Sequence, residues 1–336
     1  MTKSVKTKEK KNKLTPLSVA LLVILAVYCI TLVLLLLWAF LTAFKVNDIV
    51  FDYDRFGFPN YSAYKALLDS SSGFEQRVAK SVIIAEGDGG ALFYAFRNIW
   101  KYFSITIPAT MHSATKTVNM MEMYLYSFLY SLGCAATSTL IPCITAYLCA
   151  RYKYKFSNVV RNIVIVVMII PIIGSMPSEI SLAQRLGLLD TIWGLWIMKA
   201  NFLGMYFLVF YELFRSLPAA FTEAAKIDGA GNMQILLKIG LPLARNMIAT
   251  VFLIRFVEFW NDYQTPLIFM SSYPTVARGL NELMVKNSET SGTTFDPRSI
   301  PAKMAAVVMT AVPILIVFMA FQKRLMSNLT MGGVKG

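Results

Sequence analysis

The 336 residues are 56% hydrophobic and 15% charged, with 32 Lys/Arg against 19 Asp/Glu and a formal charge of +13. A soluble globular chain carries about 25% charged residues, so a soluble enzyme is a poor fit. The basic residues border apolar runs and form no separate domain, which argues against a nucleic-acid partner.

Residues 1–15 form a basic tail with six lysines. The apolar run Pro16–Phe44 that follows is too long for a signal peptide and has no small-residue cleavage site after it, so it reads as an uncleaved first span. Segment 45–118 is an external insertion broken by Ser70-Ser71-Ser72-Gly73 and Gly87-Asp88-Gly89-Gly90. Helical periodicity appears near Asn60–Leu68 and again over Ala91–Phe103, where the aromatic residues suit a helix at the membrane interface or packed on span ends. Either a docking surface for an external protein or a structural spacer fits the insertion. Its only histidine, His112, cannot by itself form a metal site or a catalytic triad.

Residues 119–322 hold five further expected spans, at about Glu122–Cys149, Val159–Ile180, Thr191–Phe214, Asn246–Met270 and Lys303–Gln322. The expected fold is therefore all-α and polytopic, with six transmembrane helices and both termini on one side. Pro171 and Pro177 interrupt the third run and predict a break there. Segments 1–15, 150–158, 215–245 and 323–336 hold 16 of the 32 Lys/Arg but only 3 of the 19 Asp/Glu. The whole net charge thus falls on one predicted face, which the positive-inside pattern makes cytoplasmic. All four cysteines, Cys29, Cys134, Cys143 and Cys149, fall in expected spans, so neither a structural disulfide nor a metal-binding spacing is expected.

Between the fourth and fifth expected spans lies a polar island, loop 215–242. Ser216 is placed to cap a helix with Pro218 in its first turn. Glu223-Ala224-Ala225-Lys226-Ile227-Asp228-Gly229 supplies a short helix ended by a glycine. Small residues on it allow close approach of a partner surface. Nine residues later come Ile239-Gly240-Leu241-Pro242, where Pro242 is expected to stop a second short helix, Met233–Ile239, before the fifth span. The fifth span carries Arg255, Glu258, Trp260, Asn261, Asp262 and Gln264. Polar side chains inside a membrane mark pathways or partner contacts. Arg255 and Glu258 share a face at i, i+3. The cluster suits either the lining of a sugar pathway or a polar seam against a second membrane subunit. There is no GxxxxGK[ST] phosphate loop, so this chain is not expected to hydrolyse ATP.

The spacing Glu-Ala-Ala, three residues, Gly, nine residues, Ile-x-Leu-Pro resembles the coupling loop of ABC importer permeases. Further segments resemble the carbohydrate-importing branch, the maltose-type second permease of binding-protein-dependent inner membrane systems. They are Ala146–Arg151, Leu186–Thr191 with Gly194-Leu195, Phe214–Pro218, Trp260-Asn261-Asp262 and the tail Leu329–Gly336. The resemblance covers about residues 120–336 and fails over most of 45–118. It implies a MetI-like permease fold in the bacterial cell membrane with cytoplasmic termini. Ser216, Pro218, Glu223, Ala224, Ala225, Asp228, Gly229, Ile239, Leu241 and Pro242 would then couple to ATPase subunits. It also implies two ATP-binding cassette subunits that use ATP and Mg, a second homologous permease subunit, an extracellular solute-binding protein and a saccharide substrate. No cofactor is expected on this chain. The tail is expected to reach the ATPase interface. Arg255 and Glu258 lie outside the family pattern and leave room for an acidic saccharide. An importer of a non-sugar solute such as glycerol-phosphate or a polyamine, or a non-transporting membrane sensor or scaffold, stays open as an alternative.

Overall fold

The computed structural model describes residues 16–58, 73–87, 90–108, 115–152, 154–170, 173–285 and 296–329. His112, Pro171, the Asn60–Leu68 helix and the tail from Thr330 onward lie outside the described residues. The chain divides into two compact units: residues 1–95 with 299–305, and residues 96–298 with 306–336.

In the first unit, α1 (Pro16–Ala43) is apolar on all sides. Its large side chains are exposed, as a helix surrounded by hydrocarbon requires. After α1 come α2 (Asp48–Tyr53) and α3 (Gly73–Gly87). Asn47 caps α2 by accepting from the Val50 N–H at 3.1 Å. Lys45 is buried, its ammonium donating to the Asp54 carbonyl and lying 5.4 Å from the Phe51 ring centre. Burial lowers the Lys45 pKa, and the Asp54 charge opposes that shift. The Asp48 carboxylate accepts from the Ile300 N–H at 2.7 Å, tying residues 252 positions apart.

Helix α4 (Tyr94–Tyr102) confirms the helical periodicity of Ala91–Phe103. It leads to an antiparallel pair that sequence reasoning missed: β1 (Ser104–Ile107) and β2 (Lys116–Asn119), in register Ile105 to Val118. Ile105, Ile107 and Val118 turn inward, while the alternate residues are polar.

The second unit is organised on α5 (Met120–Arg151), a 32-residue helix. Packed on it are α8 (Ile192–Met198), α9 (Met205–Ser216), α12 (Leu241–Asn261) and α14 (Val276–Val285). At the Arg151 end, Cys143, Tyr147, Phe207, Phe210, Phe214 and Val251 form one apolar core. Nearer the other end, Tyr130, Cys134, Leu195, Phe256, Trp260 and Phe269 form another. Cys134, Cys143 and Cys149 are buried free thiols, and Cys29 is an exposed one.

Among the described residues, four helical stretches are long and apolar enough to cross a membrane: Pro16–Ala43, Met120–Arg151, Asn232–Asn261 and Ile300–Phe321. The last is the main part of α15 (Ile300–Leu329). The third expected span instead divides into α6 (Lys155–Ile169) and α7 (Met176–Arg185). Pro177 sits in the first turn of α7, where a missing N–H costs nothing, so it starts a helix and does not interrupt one. The fourth expected span is also two helices, α8 and α9, separated by an irregular stretch at 199–204. The short α13 (Gln264–Phe269) follows α12.

Candidate functional site

Loop 215–242 is built from the end of α9, α10 (Ala220–Ile227), α11 (Asn232–Ile235) and one π-helical turn, Leu236–Gly240. Ser216 does not cap α10. It is the last residue of α9, and its hydroxyl donates back to the Leu213 carbonyl at 2.8 Å. A serine in a helix can always satisfy itself on the preceding turn. Helix α9 ends there, and Leu217 is already extended ahead of Pro218. Pro218 itself lies in the exposed connection ahead of α10.

The C-terminus of α10 is a Schellman motif. The Gly229 N–H donates to the Lys226 carbonyl at 3.1 Å, and the Ala230 N–H to the Ala225 carbonyl at 2.9 Å. Gly229 has φ 79, the left-handed conformation that favours glycine, and nothing crowds the space where a Cβ would stand. Ala225 faces inward, whereas Glu223, Ala224, Asp228 and Gly229 face outward. Four large apolar side chains on the loop are also uncovered: Phe221, Met233, Leu237 and Ile227, the last 86% exposed. Such a cluster on a projecting helix is the composition of a contact surface.

Pro242 does not stop a helix. Residues 232–261 run as one continuous helical stretch through the π turn, in which the Leu241 N–H bonds to the Leu236 carbonyl five residues back. Proline lacks an N–H and its ring crowds the carbonyl four residues earlier. The wider π turn immediately before Pro242 re-spaces those carbonyls and lets the helix continue. Ile239 is half-buried in this turn, and Leu241 is half-buried at the start of α12.

Beside the loop is a cavity of about 1180 Å³, lined among others by Arg151, Tyr154, Asn158, Arg215, Glu223 and Lys226. Arg151, the last residue of α5, donates to the Leu217 carbonyl at 3.1 Å and to the Pro218 carbonyl at 3.2 Å. This pair of bonds is not foreseeable from the sequence, since the partners are 66 and 67 residues apart.

The structure separates the polar residues of the fifth expected span into two sets. Trp260 is 3% exposed and its indole N–H donates to the Thr310 carbonyl at 3.1 Å. Asp262 accepts from the Tyr130 hydroxyl at 2.9 Å and from the Thr265 N–H at 3.0 Å. Both are fastened within the chain. Arg255, Glu258 and Asn261 lie on the other side of α12, at i, i+3 and i+6. Arg255 pairs with Glu258 at 2.9 Å, and its guanidinium lies 4.7 Å from the Tyr206 ring centre. The side chains are 26% and 55% exposed. Asn261 donates to the Val257 carbonyl at 2.9 Å, and its neighbour Gln264 is exposed at the start of α13.

A fastening that sequence reasoning did not single out joins the turn before α8 to the segment after α13. Gly187 (φ 67) ends α7 in a second Schellman motif, its N–H on the Gln184 carbonyl and the Leu188 N–H on the Ala183 carbonyl. Asp190, three residues on, also takes a positive φ of 59. Its carboxylate accepts from the Ser272 N–H at 2.8 Å, and its own N–H donates to the Phe269 carbonyl at 2.8 Å. The one available signal was an aspartate directly after a glycine-bounded turn, a residue that tolerates the left-handed region.

Long apolar helices, shorter broken ones and an exposed helix–Gly–helix loop make up the architecture of a polytopic membrane protein. Residues 138–330 match the family described as binding-protein-dependent transport system inner membrane component, and the chain belongs to it. It is 32% identical over 199 residues to protein LplC of Bacillus subtilis, covering 57% of this chain and 66% of that one. It is 30% identical over 171 residues to the polygalacturonan/rhamnogalacturonan transport system permease protein YtcP of the same organism, covering 48% of this chain and 59% of that one. The matches thus span about three-fifths to two-thirds of these relatives. A crystal structure of a bacterial ABC transporter involved in the import of the acidic polysaccharide alginate superposes with a TM-score of 0.67. It has 20% identity and covers 94% of this chain and 99% of that one, so the likeness is one of fold.

Proposed function

We propose that this chain is a permease subunit of an ATP-driven, binding-protein-dependent importer of sugars or oligosaccharides. The observation that carries the reading is loop 215–242: a rigid knob held at both ends, with Glu223, Ile227 and Met233 facing outward, in a chain of the transport-component family. Two ATP-binding cassette subunits receive this knob and supply the energy from ATP and Mg. A second, homologous permease subunit completes the pathway, and an extracellular solute-binding protein delivers the saccharide. Both termini are cytoplasmic, on the face that holds the net charge. Alternating access follows when closure of the ATPase pair moves the loop and biases the bundle between inward- and outward-facing states.

Arg255, Glu258 and Asn261 on one face of α12, with Gln264 at the start of α13, are the side chains offered to the pathway; Arg255 is half-buried and the other three are exposed. Trp260 and Asp262 hold that face in place from behind. The names of relatives support a saccharide. Because Arg255 is matched by Glu258, the face carries no net charge, which suits a neutral sugar as well as an acidic one.

The test is uptake of labelled maltotriose and labelled trigalacturonate by the complex reconstituted in proteoliposomes. Glu223→Lys is expected to abolish uptake of whichever saccharide the unaltered complex imports, while membrane insertion persists. Unchanged uptake in Glu223→Lys would refute the coupling role of the loop.

A further inference from the structure

Both ends of loop 215–242 are held by one face of one helix. Arg151 fixes the beginning through the Leu217 and Pro218 carbonyls. Tyr147, one turn earlier at i−4, fixes the end: its ring is so close to the π turn that a Cβ on Gly240 would stand 2.7 Å from a ring carbon. The same ring packs edge-on against Phe214 of α9 at 5.2 Å and is 2% exposed. Glycine at 240 is therefore what allows α5 and the π turn to interlock.

Helix α5 also carries Tyr130, which holds Asp262 at the far end of α12. Residues 130 and 151 are separated by about 32 Å along a helix rising 1.5 Å per residue, about the thickness of a bilayer core. A displacement of the loop thus has a stiff route to the opposite end of the bundle.

We propose that Arg151 and Tyr147 are positioning residues that lock loop 215–242 to α5, so that loop and helix move as one body during the transport cycle. This inference rests on the coupling role of the loop. Arg151 is suited to it because a planar guanidinium donates to two adjacent carbonyls at once, which a lysine cannot match in that fixed geometry.

The experiment uses the full importer complex in nanodiscs, with Cys29→Ser and nitroxide labels on Met121→Cys and Asn232→Cys. The distance between labels is read without nucleotide and after trapping with ATP and vanadate. In the otherwise unaltered chain the distance peak is expected to move by less than about 2 Å between states, as for packed helices that shift together. In Arg151→Gln it should shift or broaden by more than about 5 Å, one helical turn. Saccharide uptake per ATP hydrolysed should then fall at least about fivefold. Arg151→Lys should recover part of the narrow distribution. Should Arg151→Gln fail to insert, Gly240→Ala gives the same reading, because its Cβ would stand 2.7 Å from the Tyr147 ring and push the π turn off α5. A peak in Arg151→Gln or Gly240→Ala that coincides with the unaltered chain overturns the proposal, as does a shift of more than about 5 Å in the unaltered chain. If no ATPase subunit co-purifies, the coupling reading fails, and the width of the distribution in the permease alone still decides whether the bracket exists.

Discussion

Loop 215–242 and the polar stretch 255–264 lie within twenty residues of each other and both stand out by residue type, but they are put to different uses. In the loop, the informative residues act through the backbone: Gly229 through its φ of 79 and the two Schellman bonds, Pro242 through the π turn it follows. In the polar stretch they act through side-chain direction, and the helix turns them to opposite sides. Trp260 and Asp262 point into the bundle and meet Thr310 and Tyr130, whereas Glu258, Asn261 and Gln264 are exposed and Arg255 is half-buried beside Tyr206. A backbone requirement is local and so can be read from a short motif. Which way a polar side chain in a membrane helix faces depends on helices far away in the chain.

This contrast is broken most severely at Trp260. Trp260→Ala removes a buried indole and leaves the Thr310 carbonyl without that donor, a loss of about 3–5 kcal/mol. Thermal unfolding of the detergent-solubilised protein should show it, and an unchanged midpoint would move Trp260 back to the uncovered face. Tyr130→Phe deletes a hydrogen bond to a carboxylate, worth about 1.5–3 kcal/mol. The same melting experiment should rank it second, with pathway side chains untouched.

Gly229→Leu meets no steric obstacle, since nothing lies within 4 Å of its Cβ position. Its cost is the left-handed backbone alone, about 1–2 kcal/mol, concentrated in α10. Uptake should fall sharply while overall melting changes little, and Gly229→Asn, which tolerates that conformation, should restore much of the uptake. Equal uptake by the leucine and asparagine variants would contradict a backbone role. The smallest stability effects are expected for Asn261→Leu and Gln264→Leu, within about 0.5 kcal/mol as for uncovered positions. These two should still change the rate or selectivity of saccharide uptake. Unaltered transport in both would assign this face to the seam with the second permease.

The all-α membrane fold was legible because apolar runs of sufficient length admit few other structures. So was the end of α10, through a glycine at the place where a helix must reverse its backbone. The start of α10 was not, because Ser216 satisfies its hydroxyl on α9 and leaves the capping position to Ala219. The break in the third expected span was legible through Pro171 and Pro177, whereas the fourth was read through residues 199–204 as one span because the apolar runs on either side are nearly contiguous. The β1–β2 pair is four residues per strand, too short for alternation to stand out. The bonds from Arg151 to Leu217 and Pro218, and from Asp190 to Ser272, join segments separated by 66, 67 and 82 positions, and no local pattern encodes them.

The most direct test of the account places a photo-crosslinking amino acid at Ile227, the most exposed large apolar side chain of the loop, in the cells that make the complex. The account predicts an adduct with a nucleotide-binding polypeptide, weakened when Glu223→Lys is present. Efficient incorporation with no ATPase adduct, in a complex that still imports saccharide, would contradict it.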